Sequence, residues 1–212
     1  MRLPLFPLKS VFFPGETVPL HIFEPRYKEL IWDCRKEAIT FGIPVFNDGV
    51  MAYGTEVQLV EVANTYEHGE MDVICLARQV FRVLSFVNPM AGKLYAGGEV
   101  AFLDLEYGAD IGLREEVLQR LEQLYSLMDL PFSTLPPERF NSYVLAHKMG
   151  LSFNQEFELL KMGRETDRLY YIKDHLERTV SILGGIDRTR AVIQRNGHFR
   201  NFDPLDFKNM EI

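Results

Sequence analysis

The stretch FPGETVPLHIFEPRY, from Phe13 to Tyr27, decides how the N-terminal half of the chain folds. Pro14-Gly15 is typical of a type II turn, in which the glycine takes a positive φ. The segment ETVPLHI that follows is extended. Glu24-Pro25 indicates a helix start, because proline suits the first helical position and an acidic side chain suits the positive end of the helix. The stretch therefore predicts a turn, a strand and a helix in succession.

The helix that begins here carries an apolar stripe on one face and the only tryptophan on another. The stripe has helical spacing and consists of Tyr27, Leu30, Ile31, Cys34 and Ala38. At ~100° per residue, Trp32 falls about 140° away from this stripe. A barrel that covers the stripe leaves the indole free. Trp32 is therefore either buried by the helical part or the C-terminal tail, or exposed as an anchor for a partner.

Short strands with glycine and proline corners fill the chain up to about residue 105. FGIPVF leads into NDG, a hairpin turn, and EHGE (67–70) turns the chain again. In TEVQLVEV the alternation of apolar residues slips by one residue at Val60, which indicates a β-bulge. The pattern yields about six or seven strands, and this number of short strands predicts a small closed or nearly closed barrel.

The period becomes helical from about residue 111, and four helices joined by short loops predict a bundle. Ser152 and Gln155 have the spacing of a capping box at the start of the third helix. The predicted helices are a stripe from Leu113 to Met128, then Pro137–Gly150, Ser152–Gly163, and Leu169 to Gly184-Gly185.

These patterns divide the chain into three parts and define an α+β protein. Residues 1–108 form the barrel with its one inserted helix, and residues 109–185 form the helical bundle. Residues 186–212 are a tail that we expect to pack back on the chain. The tail is too apolar for a free terminus, because it contains Phe199, Phe202, Leu205 and Phe207.

Composition excludes several classes of function. The net charge of −7 and the pI near 5.3 argue against nucleic acid and anionic membranes as partners, since both favour a basic surface. No apolar run approaches the ~20 residues of a membrane-spanning helix. The two cysteines, Cys34 and Cys75, are typical of reduced core residues of a cytosolic protein. We therefore expect a cytoplasmic protein.

Catalytic and cofactor motifs are absent from the 212 residues. There is no G-x-x-x-x-G-K-[ST], G-x-S-x-G, H-E-x-x-H or C-x-x-C pattern. The sequence thus predicts no nucleotide, no other cofactor and no metal. His21 and Glu24 are the one close pair that could act as a general base and the group that orients it. A half-buried strand histidine beside a helix start explains the same pattern without catalysis, and we favour this second interpretation.

Most of residues 2–183 resemble the Lon N-terminal domain family. The resemblance is carried by LPLFPL, FPGE and IFEPRY near the start, and by GTEVQLVEV, MDVICLARQVFRVLSF and LAHKMGLSFNQEFELLKM further on. It implies a PUA-like β pseudobarrel followed by a helical bundle. It also implies a substrate-recognition module, because the ATPase and protease modules of the full-length proteases have no matching motif here.

The resemblance implies a non-catalytic module that binds unfolded or degradation-bound proteins and peptides. The candidate contacts are Phe12, Phe13 and Pro14, together with Trp32, although for the first three we favour a place in the core of the barrel. Cooperation with a separate protease and self-association are compatible with this function. The alternatives are an accessory subunit of an ATP-dependent proteolytic system and a cryptic hydrolase that uses His21 and Glu24.

Overall fold

The computed structural model describes residues 1–133 and 135–195, with side chains as far as residue 186. Within these residues, the strands are Arg2–Leu5 (β1), Thr17–Ile22 (β2), Phe41–Phe46 (β3), Val50–Thr65 (β4), Met71–Val83 (β5) and Ala96–Phe102 (β6). The α-helices are Pro25–Glu37 (α1), Ile111–Leu127 (α2), Phe153–Lys161 (α3) and Glu165–Arg195 (α4).

Five strands form a barrel in the order β5-β4-β3-β1-β6. Pairing of the last strand, β6, with the first, β5, closes the ring. β5 can serve three neighbours because it is long. All of it runs beside β4, its first half also pairs with β2, and its last residues pair with β6. The predicted α+β fold, a PUA-like pseudobarrel with one inserted helix and a following helical part, is confirmed.

Local sequence signals set the corners of the barrel. The amide of Glu16 donates to the carbonyl of Phe13 at 3.2 Å and Gly15 has a φ of 92°, as a type II turn requires. The bulge predicted at Val60 is present. Leu59 pairs with β5, and so does Glu61, but Val60 between them has no partner in the β5 register. The bulge bends the second half of β4 away from the regular ladder.

α1 begins at Pro25 as predicted and buries most of its apolar stripe against the inside of the barrel. Glu24 is its N-cap residue, but the side chain caps no backbone amide and pairs instead with Arg26 at 2.7 Å. Ala38 was wrongly placed in the stripe. It follows the last residue of α1, is exposed, and has a left-handed φ of 52°. The buried members are Tyr27, Leu30, Ile31 and Cys34.

The helix predicted over Pro137–Gly150 is wrong. This segment contains only two short 3-10 turns, Pro137–Arg139 and Ala146–Lys148. Its backbone amides have other acceptors: that of Ser142 donates to the Glu165 carboxylate at 2.7 Å, and the next amide donates to the Asn141 side chain. Amides held by side chains in this way do not form the regular bonds of an α-helix.

α4 also differs from the prediction, because it continues through Gly184-Gly185 to Arg195. Each glycine costs a helix only ~1 kcal/mol, so the pair weakens α4 without ending it. Residues 186–195 are therefore helix rather than tail. The remaining part of the predicted tail, residues 196–212 with its four apolar residues, lies outside the described residues.

The helices and the barrel share one apolar core. Phe13, Val45 and Val80 of the barrel pack in the same cluster as residues of α2, α3 and α4. A second cluster holds α1 against the barrel interior. The division at residue 108 thus separates two kinds of secondary structure along the chain, while the apolar packing continues across it.

A fully buried arginine joins the helical part to the barrel. Arg168 pairs with the Glu165 carboxylate at 2.8 Å and donates to the Ser142 hydroxyl at 2.8 Å. Its guanidinium lies 4.5 Å from the centre of the Tyr143 ring. The other donors bind backbone carbonyl groups of Glu106, Met162 and Gly163. A buried charge is tolerated when it is paired and its donors are satisfied, as they are here.

We expect Arg168→Ala to lower the free energy of unfolding by ~3–5 kcal/mol, because it leaves the buried Glu165 carboxylate without its partner. Arg178→Ala is the matched control, since Arg178 also lies on α4 and pairs with an acidic residue but is exposed. The control should change stability by about 0.5 kcal/mol or less. Urea denaturation of the three proteins measures both values. Equal loss in the two variants would contradict the role assigned to Arg168.

His147 makes a second connection between the barrel and the helices. Its ring packs 5.1 Å from that of Phe13, and its two nitrogens lie 3.1 Å from Glu16 and 2.7 Å from Glu156. The hydrogen bond with Glu16 raises the pKa of His147 to about 9; burial opposes this shift and the bond with Glu156 adds to it. His147 is thus a packed histidine that is paired on both ring nitrogens.

This raised pKa predicts a loss of stability in alkali. The folded-state pKa near 9 lies above the ordinary value, so the contribution is complete below the ordinary value of ~6.5 and disappears as the pH rises through about 9. His147→Gln should remove this part of the pH dependence between pH 6 and 10 in thermal unfolding. His68→Gln, in an exposed turn, should retain it. A wild-type slope that persists in His147→Gln would refute the assignment.

Candidate functional site

The segment Phe12–Pro14, predicted as a contact, lies where the barrel meets the helices. Phe13 is fully buried, and its ring stacks on that of Tyr143 at 5.1 Å between centroids. Phe12 and Pro14 are partly buried, and the Phe12 carbonyl accepts a hydrogen bond from Thr55. Phe13 is thus a core residue and offers no surface to a partner, as the core alternative describes.

Trp32 has a different position, since its side chain is 65% exposed on the outer face of α1. The helical part does not cover it, so the hypothesis that the helical part buries Trp32 is wrong. Cover by the tail concerns residues 196–212, outside the described part. Lys28 and Lys36 lie one turn away on either side of the indole, because residues four apart are neighbours on a helix.

The side of α1 next to Trp32 is fixed to the loop before β6. Asp33 is buried and accepts hydrogen bonds from Lys93 and from the Tyr95 hydroxyl, both at 2.7 Å. Burial raises the pKa of Asp33, but these two bonds outweigh burial and hold the pKa below its ordinary value. One turn earlier, Glu29 accepts from the amide of Leu94 at 2.8 Å. These contacts hold the exposed indole on a rigid helix.

Two grooves meet at the C-terminal end of α1. One of about 500 Å³ lies between α1 and the second half of β4, and we call it the α1–β4 groove. The other, of about 570 Å³, lies between α1, β1 and the loop before β6. Arg35 lines the α1–β4 groove one turn after Trp32, whereas Trp32 itself lies on the outer face of α1, outside the lining of this groove. Its lining is Cys34, Arg35, Ala38, Ile39, Gln58–Val62 and Thr65.

The thiol in this groove is not a nucleophile. Cys34 is buried and free, and burial raises its pKa to about 12. Burial raises the pKa of Cys75 to about 12 as well. Both thiols are therefore protonated at neutral pH, and the protonated form lacks the nucleophilicity of a thiolate. Cys34 contributes apolar surface to the α1–β4 groove.

The hypothetical catalytic pair His21 and Glu24 does not form. His21 is exposed rather than half-buried, and its Nδ1 lies 2.7 Å from Asp72. Glu24 is engaged with Arg26. A hydrogen bond from Tyr66 lowers the pKa of Asp72, and the contact with His21 lowers it further. The geometry is that of a surface cluster between neighbouring strands.

Among the residues that the structure describes, no group of three or more His, Cys, Asp and Glu side chains is placed to hold a metal ion. None of the helices in that part of the chain combines the length and apolar character needed to cross a bilayer.

The α1–β4 groove is lined by apolar side chains, strand backbone and two charged residues, Arg35 and Glu61.

Residues 2–178 match the family described as the ATP-dependent protease La (LON) substrate-binding domain. The match spans most of the 212 residues, so the chain belongs to this family. No curated protein matches the chain.

Two solved structures share its architecture. The crystal structure of a Lon N-terminal domain protein from Xanthomonas campestris has 29% sequence identity and a TM-score of 0.61, over 80% of this chain and 95% of that one. The N-terminal domain of the Mycobacterium avium complex Lon protease has 15% identity and a TM-score of 0.59, over 84% of this chain and 98% of that one. The second likeness shows the fold alone.

The sequence placed Trp32 away from the apolar stripe of α1 and left its exposure open, and it gave no prediction of the groove between α1 and β4. One signal was available, because the phase slip at Val60 marks a residue that lines the groove. The groove itself depends on where β3 stops pairing with β4, at Phe41 opposite Val57. Sequence periodicity does not specify that point.

The exposure of Trp32 predicts its fluorescence. As the only tryptophan, it should give emission close to that of indole in water, and acrylamide should quench it readily. The measurement uses the full chain and a form without residues 196–212, which should give the same spectrum. Blue emission that turns red on truncation would instead show that the tail covers the indole.

Proposed function

We propose that this chain is a non-catalytic recognition module for unfolded or degradation-bound proteins and peptides, and that it binds them at Trp32 and the α1–β4 groove. The observation that carries the proposal is the largely exposed Trp32 on α1, one turn before Arg35 in the groove wall, in a member of a substrate-binding family. Exposed tryptophans in such positions dominate binding energies at interfaces.

The chemistry of the groove suits unfolded chains better than folded partners. Its volume of about 500 Å³ admits only a few side chains, and a folded surface presents few protruding extended segments. An unfolded polypeptide exposes both aromatic or aliphatic side chains and unpaired backbone amides. These are the groups that an indole and a strand can bind.

Delivery to a separate ATP-dependent protease is a second candidate, favoured by the family description, which names such a protease. In this role the chain holds a substrate until a protease accepts it, and self-association increases the number of sites for one polypeptide. The candidate is tested by the degradation rate of an unfolded labelled protein with a purified Lon-type protease, with and without this chain. An unchanged rate would exclude delivery and leave recognition in place.

We expect Trp32→Ala to weaken binding of fluorescein-labelled, carboxymethylated lactalbumin by about tenfold or more, as truncation of an aromatic hot spot does. Tyr170→Ala is the matched control, because Tyr170 is an equally exposed aromatic residue on α4. Fluorescence anisotropy with the full chain measures the affinities. Absence of wild-type binding would refute recognition of unfolded polypeptide, and equal losses in both variants would refute the assignment to Trp32.

A further inference from the structure

The second half of β4 has an open edge. β3 pairs with β4 only as far as Val57, whereas β5 continues beside β4 to Thr65. Within the described residues, Gln58–Thr65 therefore has a strand on one side and none on the other. Gln58–Val62 and Thr65 of this segment line the α1–β4 groove. Such an edge is a template for one more strand.

The α1–β4 groove, of about 500 Å³, has two walls, and the edge of β4 is one of them. Its second wall is the end of α1, formed by Cys34, Arg35, Ala38 and Ile39. A second copy of this protein presents its own β4 edge with its own α1 beside it, and this helix would meet the first α1. A single extended segment carries no such flanking helix. The geometry therefore favours a lone strand over pairing of two sheets.

Two irregularities in the second half of β4 limit how long the added strand is. The register against β5 shifts at Val60 and again at Ala63, so regular pairing is confined to short stretches around them. Bulges are one of the devices by which edges avoid indefinite sheet extension. The edge is thus suited to a short segment that binds reversibly, and unsuited to fibre-like stacking.

Opposite charges on the two walls of the α1–β4 groove favour one placement of the charged side chains of an added strand. Glu61 lies on β4 and Arg35 on α1, both line the groove, and neither has an ion-pair partner among the described residues. A strand between them is stabilised when it places a basic side chain at Glu61 and an acidic one towards Arg35. The net charge of −7 adds to the preference for a basic segment.

We propose that an extended segment of an unfolded polypeptide adds to β4 at Gln58–Thr65 as an extra strand, with its basic side chain beside Glu61. This inference rests on the proposed function and specifies its mode, recognition by strand addition. Backbone hydrogen bonds supply affinity without regard to sequence. Trp32 and the charge pair add a limited preference.

The test uses short fluorescein-labelled peptides of alternating valine and threonine with one central lysine, or with glutamate in its place. The full-length wild-type chain should bind the lysine peptide roughly three- to fivefold more tightly, the range of an exposed ion pair. Glu61→Lys should reverse this preference. Glu67→Lys, the same change in the exposed turn beyond β4, should leave it unchanged. Circular dichroism checks that each variant is folded.

Backbone pairing has a separate test. N-methylation of alternate peptide amides should weaken binding about tenfold in one register and little in the other, because only one set of amides faces β4. Amide exchange at residues 58–65 should slow when the unmodified peptide is added. Equal effects of both methylated peptides, or unchanged exchange at 58–65, would overturn strand addition.

The outcomes separate this inference from the function on which it rests. If carboxymethylated lactalbumin binds but Glu61→Lys leaves the peptide preference unchanged, strand addition at this edge is wrong and recognition stands. If the wild type binds neither probe, both fall. Tighter peptide binding after removal of residues 196–212 would show that the chain's own tail occupies the edge of β4. Dimers that form without peptide and are lost in Glu61→Lys would show that a second copy of the chain occupies it. Either result overturns the proposal.

Discussion

The buried pair of Arg168 and Glu165 is the contact on which the arrangement of helices and barrel depends. The guanidinium binds the pair partner, a serine and three backbone carbonyls, and these belong to α4 itself, the segment before α3, the connection after β6 and the corner between α3 and α4. Desolvating two charges costs several kcal/mol, and it is offset here because every donor has an acceptor. Four separate pieces of chain are therefore held at one point.

Fixing the helices at this point determines which surface stays free. The helical part packs on the first half of β4, where the Tyr53 ring lies 6.3 Å from that of Phe157 in α3. α1 packs through a different cluster and is tied by Asp33 to the loop before β6. The outer face of α1 thus lies outside both sets of contacts, whereas Leu59 and Val62 in the second half of β4 pack against the α1 cluster, so that only the edge of this strand is unpaired. The position of this exposed surface therefore follows from the way in which the helices and the barrel pack together.

Sequence reasoning succeeded where structure is decided by neighbours along the chain. The turn at Pro14-Gly15, the bulge at Val60 and the capping box at Ser152 each depend on a few adjacent residues. It failed at Pro137–Gly150, because a carboxylate 23 residues away takes the amide of Ser142. The groove was not predicted for the same reason, since it exists only where one strand stops pairing with another. The position of Trp32 away from the apolar stripe was predicted, because a helical wheel needs no tertiary information.

Energetics explain why such a surface combines an aromatic side chain with a strand edge. Ordering one residue of a flexible chain costs ~1–2 kcal/mol, whereas one backbone hydrogen bond contributes ~1 kcal/mol net. A short strand held by backbone bonds alone therefore gains almost nothing. Burial of apolar surface against an exposed indole supplies the missing part, at roughly 25 cal/mol per Å². In the proposed mode of binding neither element suffices alone, and the two together would give weak binding that tolerates many sequences and permits release.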